Sequence, residues 1–379
     1  MAPRSVAGEH VVIHKRAGRY TGPSPVLELL PDGRLAAGTQ SSPWAEHVFL
    51  GEWVVKTSAD GGRTWVEDSD PSLPLNWPGS TVRERGDRLT VVVPDGTWLA
   101  TGALSWEVWP ASRRTEAEAL RLRVRPHQGG DDQIVVGSRR LFAQHSTDQG
   151  NTWSRREWTV PECGVLIGFP RGLLLGDGRT LLYPVREHGH DEFLRQGHAW
   201  RSTDAGQTWG LRAFPAGVYQ RMGNEAAFIE TEPGRVLALM RDMGGGAGEG
   251  FLMEMRSDDA GASWSRPVQL PIWGYPPQLL RLRDGRILCS YGYRREPMGI
   301  RACLSEDNGR TWLIQDELVL RDDGGAASEL RPDRHTTGSY GGDLGYPTTC
   351  QLPDGSLFTA YYFTGADRVT HLSGTRWSL

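Results

Sequence analysis

Cysteine is scarce in this chain: four residues in 379, at Cys163, Cys289, Cys303 and Cys350, with no spacing that reads as a metal-binding pair. They are read as buried thiols in a reducing compartment. The chain also lacks any apolar run near the roughly 18 residues needed to span a bilayer as a helix. Residues Met1 to His10 lack the apolar core of a secretory signal, so a cytoplasmic location is expected. There is no excess of positive charge either. Lys and Arg number 42 against 46 Asp and Glu, a net charge of −4 and a pI near 6.2, which removes the electrostatic case for a nucleic-acid partner. A membrane partner is likewise not expected, and the oligomeric state stays open.

What the chain has in quantity is Gly (48) and Trp (15), and five of the Trp each close a copy of one repeated phrase. S-x-D-x-G-x-[TS]-W occurs at Ser58–Trp65, Ser146–Trp153, Ser202–Trp209, Ser257–Trp264 and Ser305–Trp312. Asp can bond the backbone two residues on, Gly accepts a positive φ, and Trp plugs the packing, so each phrase reads as a tight hairpin. Five copies mean a repeat fold. A second repeat, a Gly turn followed by an apolar strand, is centred on Asp32, Asp95, Asp177, Pro233, Asp284 and Asp354. The first five turns are followed by a box after 28, 53, 27, 26 and 23 residues, and the sixth has none. The expected fold is therefore all-β: a single six-bladed β-propeller over residues 1–379, its last blade closed by the chain termini, with His10–His14 as the closing strand. The long second interval contains Ser112–Val124, rich in helix formers, and predicts a helical insertion around 104–130 that either overhangs the axis or runs along the surface.

The box resembles the Asp-box of the sialidase (neuraminidase) superfamily, which caps the third and fourth strands on the outside of propeller blades and is structural there. The resemblance implies the fold and leaves function to the site. Counting back eight or nine residues from each turn locates the start of the innermost strand: Pro23, Arg85 or Gly86, Gly168 or Phe169, Glu225, Tyr275 and Tyr346. Counting forward about eight finds the end of the second strand on the same face, which includes Arg186, Arg241 and Arg294. Solvent-facing strand ends have no packing need for this mixture.

Asn224-Glu225 through Arg241 resembles the sialidase segment in which Glu is the base that ionises a tyrosine nucleophile and Arg holds the substrate carboxylate. Gly345-Tyr346-Pro347 resembles the segment that opens with that tyrosine. A phenol has a pKa near 10 and needs an adjacent carboxylate to take its proton as it attacks, and sialidases are the tyrosine exception among glycosidases. Other positions depart from the family. Pro23-Ser24-Pro25 stands where one carboxylate-binding Arg is expected, and Tyr275 where another is. The acid/base Asp aligns with Ser42-Pro43-Trp44-Ala45-Glu46-His47, where Glu46 and His47 can transfer protons.

The candidate catalytic residues are thus Tyr346, Glu225, Glu46, His47 and Asp343, the last on the Gly-rich loop before Tyr346. The candidate substrate contacts are Arg241, Arg186, Arg294, Tyr275, His188, Trp44 and Arg85. Glu187-His188-Gly189-His190-Asp191-Glu192 has metal-ligating residue types but reads as a solvated loop, and neither metal nor cofactor is expected. The function expected is exo-glycoside hydrolysis of a terminal sugar other than ordinary sialic acid, the partner being a carbohydrate. The alternatives are a non-catalytic glycan-binding propeller and a lyase or isomerase acting on a uronic sugar.

Overall fold

The computed structural model describes residues 3–44, 51–70, 73, 88–127, 129–161, 163–169, 171–188, 195–215, 224–242, 249–331 and 343–379. Within them one arrangement, an antiparallel meander of about four strands, is built six times. Sheet one holds Tyr20–Leu29, Leu35–Ser42, Glu52–Ser58 and Val66–Glu67. Sheet two holds Arg88–Val92, Trp98–Ala103, Arg140–Ser146 and Ser154–Thr159. In sheet three the first strand is split into Val165–Gly168 and Leu173–Leu174, followed by Leu181–His188, Arg195–Ser202 and Gly210–Ala213. Sheet four holds Asn224–Glu232, Arg235–Arg241, Phe251–Ser257 and Val268–Trp273. Sheet five holds Pro277–Arg281, Ile287–Tyr293, Met298–Ser305 and Leu318–Gly324, with Arg4–Ser5 added in parallel. Sheet six joins both ends of the chain: Gly345–Gln351, Leu357–Thr364 and Thr370–Trp377, then Gly8–His14 against Thr370–Trp377.

The two sequence repeats occupy different corners of each meander. The Gly turns join first to second strands, and there Asp bonds the backbone two residues on, as Asp32 does with the Arg34 N–H at 3.0 Å. The boxes join third to fourth strands and are wired differently from the two-residue expectation. The Asp60 carboxylate accepts from the N–H groups of Arg63 and Thr64, both at 2.9 Å, and from the Thr64 hydroxyl at 2.6 Å. Ser58 donates to Asp60 and accepts from the Gly62 N–H. The longer reach follows from the box being a wider loop than a two-residue turn, with more N–H groups to satisfy.

Packing follows the sheet order. One apolar cluster joins sheets two and three (Leu99, Leu141, Leu166, Tyr183), and another joins three and four (Leu182, Phe214, Phe228, Met255). Further clusters join four and five (Leu239, Trp273, Tyr291), five and six (Ile300, Tyr361, Phe363) and six and one (Phe358, Leu372, Leu35). First strands of successive sheets also touch, from sheet three through four, five and six to sheet one. The ends of first and second strands are therefore brought together on one face, and that placement positions the candidate site.

The segment expected to be helical is helical only over Ala111–Arg113, a single 3-10 turn, and Arg114–Ala119. The rest is a three-stranded sheet of Trp106–Pro110, Gln133–Gly137 and Val124–Pro126. Ile134, Val135 and Val136 are β-branched, and apolar and basic residues alternate from Leu122 to His127. Both features favour strand over helix.

Candidate active site

Two bulges aim the central residues. In sheet four Asn224 pairs with Arg241 and the next pair is Ala227 with Leu239, so Glu225 and Ala226 face a single partner residue. In sheet six Gly345 pairs with Tyr362 and the next pair is Thr348 with Ala360. Glu225 and Tyr346 occupy equivalent positions in these bulges, with φ of 54° and 51°. A left-handed φ costs a residue with a Cβ about 1–2 kcal/mol. Strain duplicated at two aligned strand ends is the kind found where a side chain must be re-aimed for function.

The two side chains meet. The Tyr346 hydroxyl donates a short hydrogen bond to Glu225 Oε1, and Arg241 Nη1 lies 3.4 Å from Glu225 Oε2. Both carboxylate and phenol are buried. Tyr275 is buried beside them, with the Arg241 guanidinium 3.7 Å and that of Arg294 5.0 Å from its ring centroid. Arg294 donates to the Tyr362 hydroxyl at 3.0 Å and to the Leu344 carbonyl at 3.1 Å. The Arg171 guanidinium lies 5.5 Å from the Tyr346 ring, and that of Arg186 lies 5.3 Å from the Phe169 ring. Such cation–π placements are worth more when desolvated.

The electrostatics separate the pair. Burial alone would raise the pKa of Glu225, but Arg241 and Arg186, the Tyr346 hydrogen bond and Arg171 outweigh it and hold the carboxyl below its ordinary range. Burial pushes Tyr346 up, and the Glu225 carboxylate beside it pushes the same way, so it rests as a neutral phenol. Burial opposes the charge on Arg294, yet Tyr362, Tyr275, Tyr346 and Glu225 more than offset it and keep the guanidinium firmly charged. At the centre the Glu225 carboxylate and the Tyr346 phenol lie among four guanidiniums, three of them buried and that of Arg186 half-buried, with the Tyr275 and Tyr362 phenols beside Arg294.

The other candidates are distributed around this centre. Asp343 is buried, its Oδ1 accepting from the Tyr20 hydroxyl at 3.0 Å and its carbonyl from Thr364. His188 is buried at the end of the second strand of sheet three, its Nδ1 3.1 Å from Arg123 Nη1. Trp44 follows the second strand of sheet one and meets His127 edge-on, with ring centroids 6.2 Å apart. Glu46, His47 and Arg85 lie outside the described residues. Arg171 is the functional candidate that counting from the turns misses. It enters through the break in the split first strand of sheet three, where the count ends on Gly168 or Phe169, and the proline at position 170 of the sequence was the available signal.

Among the described residues one group could offer a metal three ligand atoms: Cys163, Glu187 and His198, within 4.8 Å of one another. Glu187 there accepts from the Gly164 N–H at 2.8 Å and is paired with His198 at 3.1 Å, a set already joined by hydrogen bonds within the protein.

Residues 109–359 match the BNR repeat-like domain family. No curated protein matches the chain in sequence. Among solved structures, the chain is similar to a protein of unknown function from Dyadobacter fermentans, with a TM-score of 0.70, 23% identity and 98% of each chain covered. It is also similar to the NanB sialidase of Streptococcus pneumoniae, with a TM-score of 0.60 and 13% identity over 97% of this chain and 70% of that one. A third likeness is to the α-L-arabinanase of Penicillium chrysogenum, with a TM-score of 0.57 and 16% identity over 99% of each. At these identities the likenesses show a shared all-β fold.

Proposed function

The chain belongs to the BNR repeat-like family, and on that premise we propose that it is a six-bladed, sialidase-like β-propeller that hydrolyses the bond to a terminal acidic sugar. The six meanders are its blades, and the strand ends that carry Glu225, Arg241, Tyr346, Arg186 and Arg294 surround its axis. The observation that carries this reading is the hydrogen bond from the Tyr346 hydroxyl to the Glu225 carboxylate, buried among arginines.

In the proposed reaction the Tyr346 oxygen bonds to the anomeric carbon as the glycosidic C–O bond breaks. Glu225 takes the phenolic proton in that step, which is how a phenol held neutral by its surroundings becomes a nucleophile without ionising beforehand. A second group protonates the departing oxygen, for which Glu46, His47 and Asp343 are the candidates. Water then attacks the anomeric carbon, giving its proton to that second group, as the bond to Tyr346 breaks and Glu225 returns the proton to the phenol oxygen.

The cations select the sugar. Four guanidiniums, of Arg171, Arg186, Arg241 and Arg294, are gathered round Glu225 and Tyr346, and on this reading that collection favours an anionic substrate. Arginine is absent at the two aligned positions where sialidases place it, in residues 23–25 and at Tyr275. Arg171, Arg186 and Arg294 reach the centre from other positions, and on this reading the substrate carboxylate sits in a different place. A uronate is favoured over N-acetylneuraminate on that ground.

The test is turnover of a panel of aryl uronides, neutral glycosides and a sialoside. Uronide hydrolysis is expected, falling at least about a thousandfold in Tyr346→Phe. Retention of more than a few per cent of the rate in that variant would remove the tyrosine mechanism. An unsaturated uronate product would instead make Tyr346 the base of a lyase. Silence on every glycoside with glycan binding intact in Glu225→Gln would make the protein a binding propeller.

A further inference from the structure

The inserted sheet has two unlike faces. On one, Leu122, Val124, Ile134 and Val136 pack with Trp109 and the short helix residue Ala117. Glu107 pairs with Val136 on that same face and is held by Arg140 at 2.6 Å. The alternate residues Arg123, Arg125 and His127 lie on the other face, as does Trp106, which pairs with Gly137.

That second face is turned to the site. Gly137 sits so close to sheet three that a Cβ there would lie 2.1 Å from Val165 Cγ2. Trp106 packs on Val165, Ile167 and Phe169, the first strand of sheet three and its extension. Phe169 is the ring over which Arg186 lies. Arg123 reaches His188, two residues beyond Arg186 on the same strand, and the Arg125 guanidinium stacks 4.8 Å from the Trp106 ring centroid. At the end of the row His127 meets Trp44 of sheet one. The insertion therefore leaves sheet two, leans on sheet three and touches sheet one, all beside the strand ends that hold the centre. Its basic row runs along the edge of the site.

We propose that this row is a second anion-binding subsite, and that Arg123 and Arg125, with His127 and Trp44 beside them, hold an anionic group on the sugar residue next to the terminal one. The substrate class is then a glycan with negative charge on consecutive residues, the second charge being either a uronate carboxylate or a sulfate ester. This rests on the hydrolase reading for its terminal sugar but not for its existence, because the row would bind such a chain even in a protein that cleaves nothing. A planar guanidinium held by stacking, as Arg125 is on Trp106, is pre-organised for bidentate contact with either oxyanion.

The experiment compares disaccharides sharing one terminal uronate, with a neutral hexose, a second uronate or a sulfated hexosamine as the next residue. The preference for the charged disaccharides in kcat/KM is expected to be on the order of tenfold for the wild type in low salt, and to shrink as salt rises. Arg123→Ala/Arg125→Ala should abolish the preference, and Arg123→Lys/Arg125→Lys should restore part of it, which a merely structural role for these side chains would not do. The ratio of the two charged substrates distinguishes carboxylate from sulfate. A preference unchanged in the Ala variant, or no preference in the wild type at any salt, would overturn the proposal. Should the wild type cleave none of them, titration calorimetry with the same disaccharides decides. Salt-sensitive binding lost in the Ala variant would keep the subsite and discard the hydrolase; no binding would discard both.

Discussion

Gly33 and Gly206 form a matched pair that isolates what the repeated box contributes. Their φ angles are +86° and +84°, so an alanine at either position must adopt the same left-handed backbone. Gly33, in a first-to-second strand turn, has nothing within 4 Å of an added Cβ. At Gly206, in the third box, that Cβ would lie 2.0 Å from Leu99 Cδ1 and 3.1 Å from His145 Nε2, both in sheet two. Gly33→Ala should cost about 1 kcal/mol: roughly 1–2 of backbone strain, less the 0.4–1 by which alanine restricts the unfolded chain. Gly206→Ala carries the same term plus overpacking of about 1–3 kcal/mol, for a total of about 2–4. Urea unfolding monitored by tryptophan fluorescence measures both, provided the slope with denaturant stays constant. Leu99→Ala alone should destabilise by about 2–5 kcal/mol, yet in the Gly206→Ala background it should cost clearly less, since it removes the obstacle. Equal losses for the two glycine variants, or strict additivity with Leu99→Ala, would refute the idea that the box packs its glycine onto the preceding sheet. The same relation recurs at Gly62 with Phe358, Gly261 with Leu182 and Gly309 with Leu237, so the outcome bears on the whole assembly.

Two predictions concern the site. In the proposed mechanism Glu225 must be ionised to take the proton, and its pKa lies below the ordinary carboxylate value, so activity and the stability contributed by this group should be present above that range and lost as pH falls through the lowered value. The acid limb of kcat/KM should therefore lie below about 4.3 where Glu225 sets it, and should move upward in Arg241→Leu; an unmoved limb would assign it to another group. Arg171→Leu should weaken binding of uronide products about tenfold or more in calorimetry while leaving binding of neutral sugars little changed, and equal losses for both would mean that Arg171 only packs against Tyr346.

The fold was legible because its corners are chemical. Each Gly turn and each box requires a particular backbone, so their spacing marks strand ends, and counting from them reaches Glu225, Arg241, Tyr346 and Arg294. The count fails where a strand does. The first strand of sheet three is broken after Gly168, and Arg171 enters through the gap. In the insertion, helix-forming composition concealed the alternation from Leu122 to His127. Residues up to Ala119 do form a short helix, and beyond it the two-residue period prevails.

The arginines show a different boundary. Aligned in register with the sialidase pattern, the chain has an arginine at one of the three positions where that family binds a carboxylate, and two gaps. In three dimensions Arg171, Arg186, Arg241 and Arg294 come from three sheets and all act on one carboxylate or its phenol partner. Register compares like position with like, whereas electrostatic fields sum over whatever is near. A guanidinium on a five-bond side chain reaches the same centre from several backbone positions, so alignment undercounts charge while the strand ends still show where it collects. The strained φ at Glu225 and Tyr346 lies wholly beyond sequence, because neither residue type asks for a left-handed backbone. That Glu225 and Tyr346, both reached by counting, sit in matching left-handed bulges at equivalent strand ends supports placing the chemistry at their shared hydrogen bond.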